Sequence, residues 1–226
     1  VKYAWEARGG STSVSRRAAE EFFRRLPLAR KRLIAVIKRN RDEYATFPWL
    51  IWCARGLGDP VMSRDAFDEA IRREPRHRAV YSSELISRAS RWYGNEEELF
   101  GFAEHYFESA PSGIGICALV IEAHYYWWGD SGMASDYWRR KEVRRDVLKA
   151  HRRCTERDLQ GMNGVRTAQW MGYALWKAGE KSLAGRYFEV AGAVGNCWPW
   201  GGRIFAWMNW LFNEYGHARR RCLASR

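Results

Sequence analysis

Gly58, Gly94, Gly129 and Gly179 constrain this 226-residue chain more than any other feature. Each closes an apolar run at helical spacing, and each is followed at once by Asp59, Asn95, Asp130 or Glu180. A glycine behind a helical run reads as a helix stop, because it enters the left-handed conformation without a Cβ penalty. An acidic residue or asparagine directly after it suits the N-terminal end of the next helix. Trp170 to Ala193 is the clearest case, with Met171, Ala174 and Leu175 before the turn and Leu183, Ala184, Tyr187, Phe188 and Ala191 after it. The spacing predicts a helical hairpin at each glycine.

Aligned on the glycines, the four segments become comparable. Nine residues on stand Phe67, Ala103, Trp138 and Phe188; twelve on stand Ala70, Tyr106, Lys141 and Ala191. Pro75 and Pro111 occupy matching places in the first two. The glycines are 36 and then 35 residues apart, and the last interval is 50. This pattern resembles the tetratricopeptide (TPR) repeat over about residues 43–195. The leading Trp and early Leu-Gly pair of that family are mostly missing, echoed only by Gly172 and Leu175, and Lys141 departs from the small-residue position. The resemblance implies an all-α, TPR-like right-handed solenoid of about four hairpins, with a charged insertion at about 139–164 in the longer interval.

The flanks read differently. Residues 1–15 are expected to form a loose Gly/Ser-rich lead-in. Ser15 is a candidate cap for a basic helical pair reaching residue 42, whose apolar stripes (Phe22, Phe23, Leu26, then Leu33, Ile34, Ile37) are expected to break at Pro27. Residues 196–226 begin in the turn-rich GNCWPWGG segment. They are expected to continue as a Trp-rich capping helix from about Arg203 to Tyr215, carrying Ile204, Phe205, Trp207, Met208, Leu211 and Phe212, with a frayed basic tail.

Composition narrows the function. A formal charge of +12 with a pI near 9.8 favours an anionic partner, whether an acidic peptide, a nucleic acid or a membrane surface. Thirteen Trp, 11 Tyr and 10 Phe exceed what helix packing needs, so some rings are expected to line a surface. Five scattered cysteines form no CxxC pair, which argues for reduced thiols rather than a disulfide framework or zinc knuckle. No apolar leader opens the sequence, and the longest apolar run, Ile114 to Ile121, is too short to span a membrane. A cytoplasmic location and no cofactor are expected.

In the TPR family the first helix of each hairpin lines the concave groove. Carried over by position, the resemblance places Trp52 and Arg55 there from the first unit, and Tyr81, Arg88, Arg91 and Trp92 from the second. Tyr126 and Trp127 come from the third, and Arg166, Gln169, Tyr173, Trp176 and Lys177 from the fourth. Guanidinium groups take carboxylates or phosphates and rings take apolar or planar groups, so the set suits an extended acidic ligand. The reading is a protein- or peptide-binding adaptor or regulatory module. Stacking rings among arginines also suit single-stranded nucleic acid. A third reading is a small biosynthetic or metal-dependent enzyme, for which Glu104, His105, Glu122 and His124 are the candidate ligands; their spacing is not the i, i+3 pattern that shares one helical face. No HExxH, P-loop, GxGxxG or GxSxG occurs.

Overall fold

The computed structural model describes residues 1–8, 14–40, 42–192, 199 and 209–225, and every regular element among them is helical. No described helix is long and apolar enough to cross a membrane. The chain divides into two compact units, Val1–Glu98 and Leu99–Arg226, with the boundary inside the helix Glu96–Ser109.

The first unit holds α1 (Lys2–Arg8), α2 (Arg16–Arg39), α3 (Phe47–Leu57), α4 (Pro60–Arg73) and α5 (Arg78–Ser87). The Ser15 side chain accepts a hydrogen bond from the Ala18 amide and starts α2. That helix does not break at Pro27; it runs through it. Pro27 lies on the exposed side, where the carbonyl it leaves unbonded can take water, while Phe22 and Leu26 face inward. The lead-in is also more ordered than its composition suggests. It contains α1, whose Ala4 is buried with Phe22, Leu26 and Cys53 and whose Trp5 packs on them. The helical pair at the N-terminus is therefore α1 with α2.

Packing in this unit is sequential: α1 on α2, α2 on α3, α3 on α4, and α5 against both α3 and α4. Gly58 caps α3 at φ +68°, and Asp59 accepts from the Met62 amide at 2.9 Å to start α4. At Gly94 the constraint is a close approach: a Cβ there would lie 2.0 Å from the Arg88 carbonyl oxygen. Asn95 then accepts from the Glu98 amide, at 2.9 Å, where α6 (Glu96–Ser109) begins. Because α5 is sandwiched, its inward face includes the polar residues Arg78, Ser82, Ser83, Glu84 and Ser87.

The second unit holds the rest of α6, then α7 (Leu119–Asp130), α8 (Lys141–Arg153), α9 (Gly161–Lys177), α10 (Lys181–Ala191) and α11 (Asn209–Leu223), with short 3-10 turns before α7, α8 and α9. Here α7 packs on α8 and α9, α8 on α9, α9 on α10, and α10 on α11. Gly179, at φ +90°, makes the turn between α9 and α10. Gly172 faces the Phe188 ring, where an added Cβ would sit 3.5 Å away, and Leu175 and Ala184 are buried beside it.

The hinge at Gly129 is displaced. Helix α7 continues through it to Asp130, and the reversal falls at Gly132 (φ +93°) and Met133 (φ +58°). The Trp128 indole N–H donates to the Ala134 carbonyl at 2.9 Å and draws the turn shut. Trp138 lies in a 3-10 turn, and the helix that pairs with α7 is α8, from the charged segment that the sequence marks as an insertion. Val143, Val147 and Ala150 give α8 a buried stripe among its arginines. The capping-helix residues Ile204, Phe205, Trp207 and Met208 lie outside the described residues. The basic tail is helical to Leu223 rather than frayed, because Tyr215, Ala218 and Cys222 form a buried stripe.

The two turn glycines separate by mechanism. Gly58→Ala meets no atom within 4 Å, so only its left-handed backbone is penalised, by about 1 kcal/mol. Gly94→Ala forces the backbone at Arg88 to move, and its loss in urea-unfolding midpoint should exceed that of Gly58→Ala.

Candidate partner-binding surface

In the first unit the sequence-derived residues converge on one buried cation. The Arg55 guanidinium, projecting from α3, lies 5.1 Å from the Trp52 ring centroid, 5.2 Å from Trp92 and 5.7 Å from Trp5. One of its nitrogens donates to the Ser83 carbonyl of α5 at 3.3 Å. Indole faces attract a cation through the ring quadrupole, and the attraction strengthens where water is excluded. Arg55 is only 6% exposed, so it supports the surface from beneath.

Above it the indoles form a continuous edge-to-face chain. Trp49 meets Trp52 at 5.6 Å, Trp52 meets Trp5 at 6.3 Å, and Trp5 meets Trp92 at 5.4 Å. Trp49 is 43% exposed, and Trp52, Trp5 and Trp92 are half-buried. Arg91 is exposed next to Trp92, and Arg8 lies over Trp5 at 5.5 Å. Trp5 and Trp49 were not among the groove positions. Trp5 comes from a segment with no repeat register, whereas Trp49, after Pro48 at a helix start, could have been found from the Pro-Trp pair.

Of the other sequence-derived positions in this unit, Tyr81 points inward and Arg88 is half-buried. Tyr81 is buried against Phe67 and donates its hydroxyl to the Pro75 carbonyl at 2.8 Å. Arg88 reaches back along its own helix to Glu84 at 3.2 Å. Glu84 is buried and also accepts from the Ser63 hydroxyl of α4 at 2.7 Å. Burial raises the pKa of its carboxyl, against the pull of Ser63 and Arg88. The same burial raises the phenol of the neighbouring Tyr93.

In the second unit, Trp127, Trp176 and Lys177 are half-buried and Arg166 is exposed, but Tyr126, Gln169 and Tyr173 are buried. Lys177 lies 4.7 Å from the Trp176 ring and ion-pairs with Glu214 of α11 at 2.7 Å. Tyr173 belongs to an inner ring cluster, 5.8 Å from Tyr125 and 5.5 Å from Trp138. The groove assignment therefore splits. Trp52, Arg88, Arg91, Trp92, Trp127, Arg166, Trp176 and Lys177 reach solvent, whereas Arg55, Tyr81, Tyr126, Gln169 and Tyr173 are interior.

The metal candidates separate in the same way. Glu104 and His105 are exposed on α6, while Glu122 and His124 are buried on α7. One nitrogen of His124 bonds the Tyr137 hydroxyl at 2.8 Å, and the other lies 3.5 Å from Asp146. Desolvation raises the Asp146 carboxyl, but its contacts with His124 and Arg145 together outweigh that and leave its pKa lowered. None of the four joins a group of ligating atoms among the described residues; the group that does form is Cys117, Cys154 and Asp158.

No protein-family model, no curated protein and no solved structure matches the chain.

The buried Glu84 gives a signed pH prediction. A carboxyl whose folded pKa is raised favours the native state at acid pH, and that contribution is lost as pH rises through the folded pKa. Ser63→Ala removes a donor to the ionised form and raises that pKa further. It should cost about 1–3 kcal/mol near neutral pH, and less near pH 5, where more of Glu84 is protonated. Urea unfolding of both proteins at the two pH values measures the difference.

Proposed function

We propose that the chain is a binding module that holds an extended, acidic and partly aromatic peptide segment on the indole strip of its first unit. The observation that carries this reading is the exposed Trp49 at the head of the Trp49–Trp52–Trp5–Trp92 chain, with Arg91 at its far end. Large rings held in place by neighbours present apolar area at little entropic cost, and interface anchors are enriched in Trp, Tyr and Arg. The buried Arg55 makes the strip electropositive without exposing a mobile side chain there. Acidic groups then meet Arg91 and the cationic field, while apolar groups meet the indoles.

A TPR-like solenoid is the architecture we favour. It is supported by the packing order inside each unit, where α3 and α4 both touch α5, and α7 and α8 both touch α9. On this reading the hairpins are α3–α4, α7–α8 and α9–α10, and the repeat around Gly129 draws its second helix from residues 141–153.

One observation favours nucleic acid as the second reading. Arg139, Lys141, Arg144, Arg145 and Arg152 surround a single concavity on α8. Arg144 is neutralised by Glu180 and Arg145 by Asp146, which leaves three cations for phosphate.

Fluorescence anisotropy separates the two. We expect a labelled peptide alternating Glu with Phe or Trp to bind the full chain. Trp49→Ala and Arg91→Ala should each weaken it by roughly tenfold, as truncation of an interface anchor does, with unchanged thermal unfolding. If a single-stranded oligonucleotide of equal charge binds instead, with a steep salt dependence and no response to Trp49→Ala, nucleic acid is the partner.

A further inference from the structure

Cys117, Cys154 and Asp158 stand apart from the proposed peptide strip. They come from three separate segments of the second unit: the 3-10 turn Ile116–Ala118, the C-cap of α8, and the 3-10 turn Glu156–Leu159. All three side chains are buried, and their ligating atoms lie within 4.8 Å of one another. The carboxylate is what gathers them. One oxygen of Asp158 accepts from the Gly115 amide at 2.7 Å, two residues before Cys117. The other accepts from the Thr155 amide and hydroxyl, at 2.9 and 2.6 Å, directly after Cys154.

We propose that Cys117, Cys154 and Asp158 form a divalent-metal site of the zinc class. Zinc takes thiolate sulfur at about 2.3 Å and carboxylate oxygen at about 2.0–2.2 Å in a tetrahedron, which sets ligands roughly 3.5–3.8 Å apart. The observed limit is compatible with that spacing. Mixed sulfur and oxygen donors suit zinc better than copper(I), which favours all-sulfur sites. The hydrogen bonds to Asp158 are those a metal-bound carboxylate needs to fix its orientation, and Oδ1, which accepts only from the Gly115 amide, keeps a lone pair to donate.

The surroundings accept the charge. Ion binding displaces one proton from each thiol, so two protons leave per zinc and the filled site carries one net negative charge. Arg186 lies 5.9 Å from the Tyr187 ring, which borders Cys154. The remaining coordination position falls to solvent or to a neighbouring polar group. The Tyr187 hydroxyl, bonded to His151 at 2.8 Å, is the polar group beside Cys154.

The test uses the full chain, purified reduced and titrated with cobalt(II) in place of zinc. Near-ultraviolet sulfur-to-cobalt charge-transfer bands and visible bands of tetrahedral cobalt should appear at one equivalent and be displaced by zinc. The bands should survive Cys53→Ser and vanish in the double variant Cys117→Ser, Cys154→Ser. Asp158→Asn should weaken cobalt binding by roughly tenfold or more. The wild-type spectrum alone decides the matter should the variants fail to fold: absence of thiolate bands in the reduced protein overturns the proposal. So does their persistence in the double variant, or a Cys117–Cys154 disulfide in protein that takes up no metal after reduction.

Discussion

A guanidinium almost removed from water must be neutralised or enclosed, and in the first unit that requirement ties three segments together. Arg55 lies against three indole faces and donates to the Ser83 carbonyl. Those contacts come from α1, α3, α5 and the turn after α5. If any of the indoles moves, the cation meets water on that side and loses attraction that depends on exclusion of solvent. The charged base thus holds Trp5, Trp52 and Trp92 around one cation, with each ring half-buried. Ser63, Glu84 and Arg88 repeat the logic at the next turn of α5, with hydrogen bonds in place of rings.

The second unit solves its polar burial locally. Asp158 caps two backbone segments and so brings two thiols together; His124 lies between Tyr137 and Asp146; His151 pairs with Tyr187. Asp158 ties one turn to another, Tyr137 holds a 3-10 turn to α7, and His151–Tyr187 joins α8 to α10. The turn segments here carry much of the specific chemistry, while the helices supply the apolar stripes against which they pack.

Much of the helical content is legible in the sequence, because caps and periodicity act over a few residues. Ser15, Gly58, Asp59, Asn95 and Gly179 stand where they start or stop a helix. What fails is non-local. Gly129 has the sequence environment of a hinge, yet the Trp128–Ala134 bond and the buried Tyr137 and Trp138 hold the reversal three residues later. Pro27 has the signature of a break, but its exposed position makes the missing hydrogen bond inexpensive. Residues 139–164 read as an insertion because arginine dominates them, although Val143, Val147 and Ala150 suffice for a packed helix. The thiol pair was invisible for a simpler reason: Cys117 and Cys154 are distant in sequence, and no spacing rule connects them.

The candidate surface shows where positional carry-over stops being physical. Offsets from a glycine identify a helical face only when the helix keeps one neighbour on each side. Helix α5 is enclosed, so Tyr81 at a groove offset becomes a core ring bonded to Pro75. Helix α9 packs on α7, α8 and α10, so Tyr173 joins Tyr125 and Trp138 inside. Residues nearer the helix ends escape this enclosure, and Trp92, Trp127 and Trp176 all lie there, each half-buried. The strip of the first unit joins Trp5 of α1 to Trp49 and Trp52 of α3 and to Trp92 beyond α5, so no offset counted within one helix predicts it.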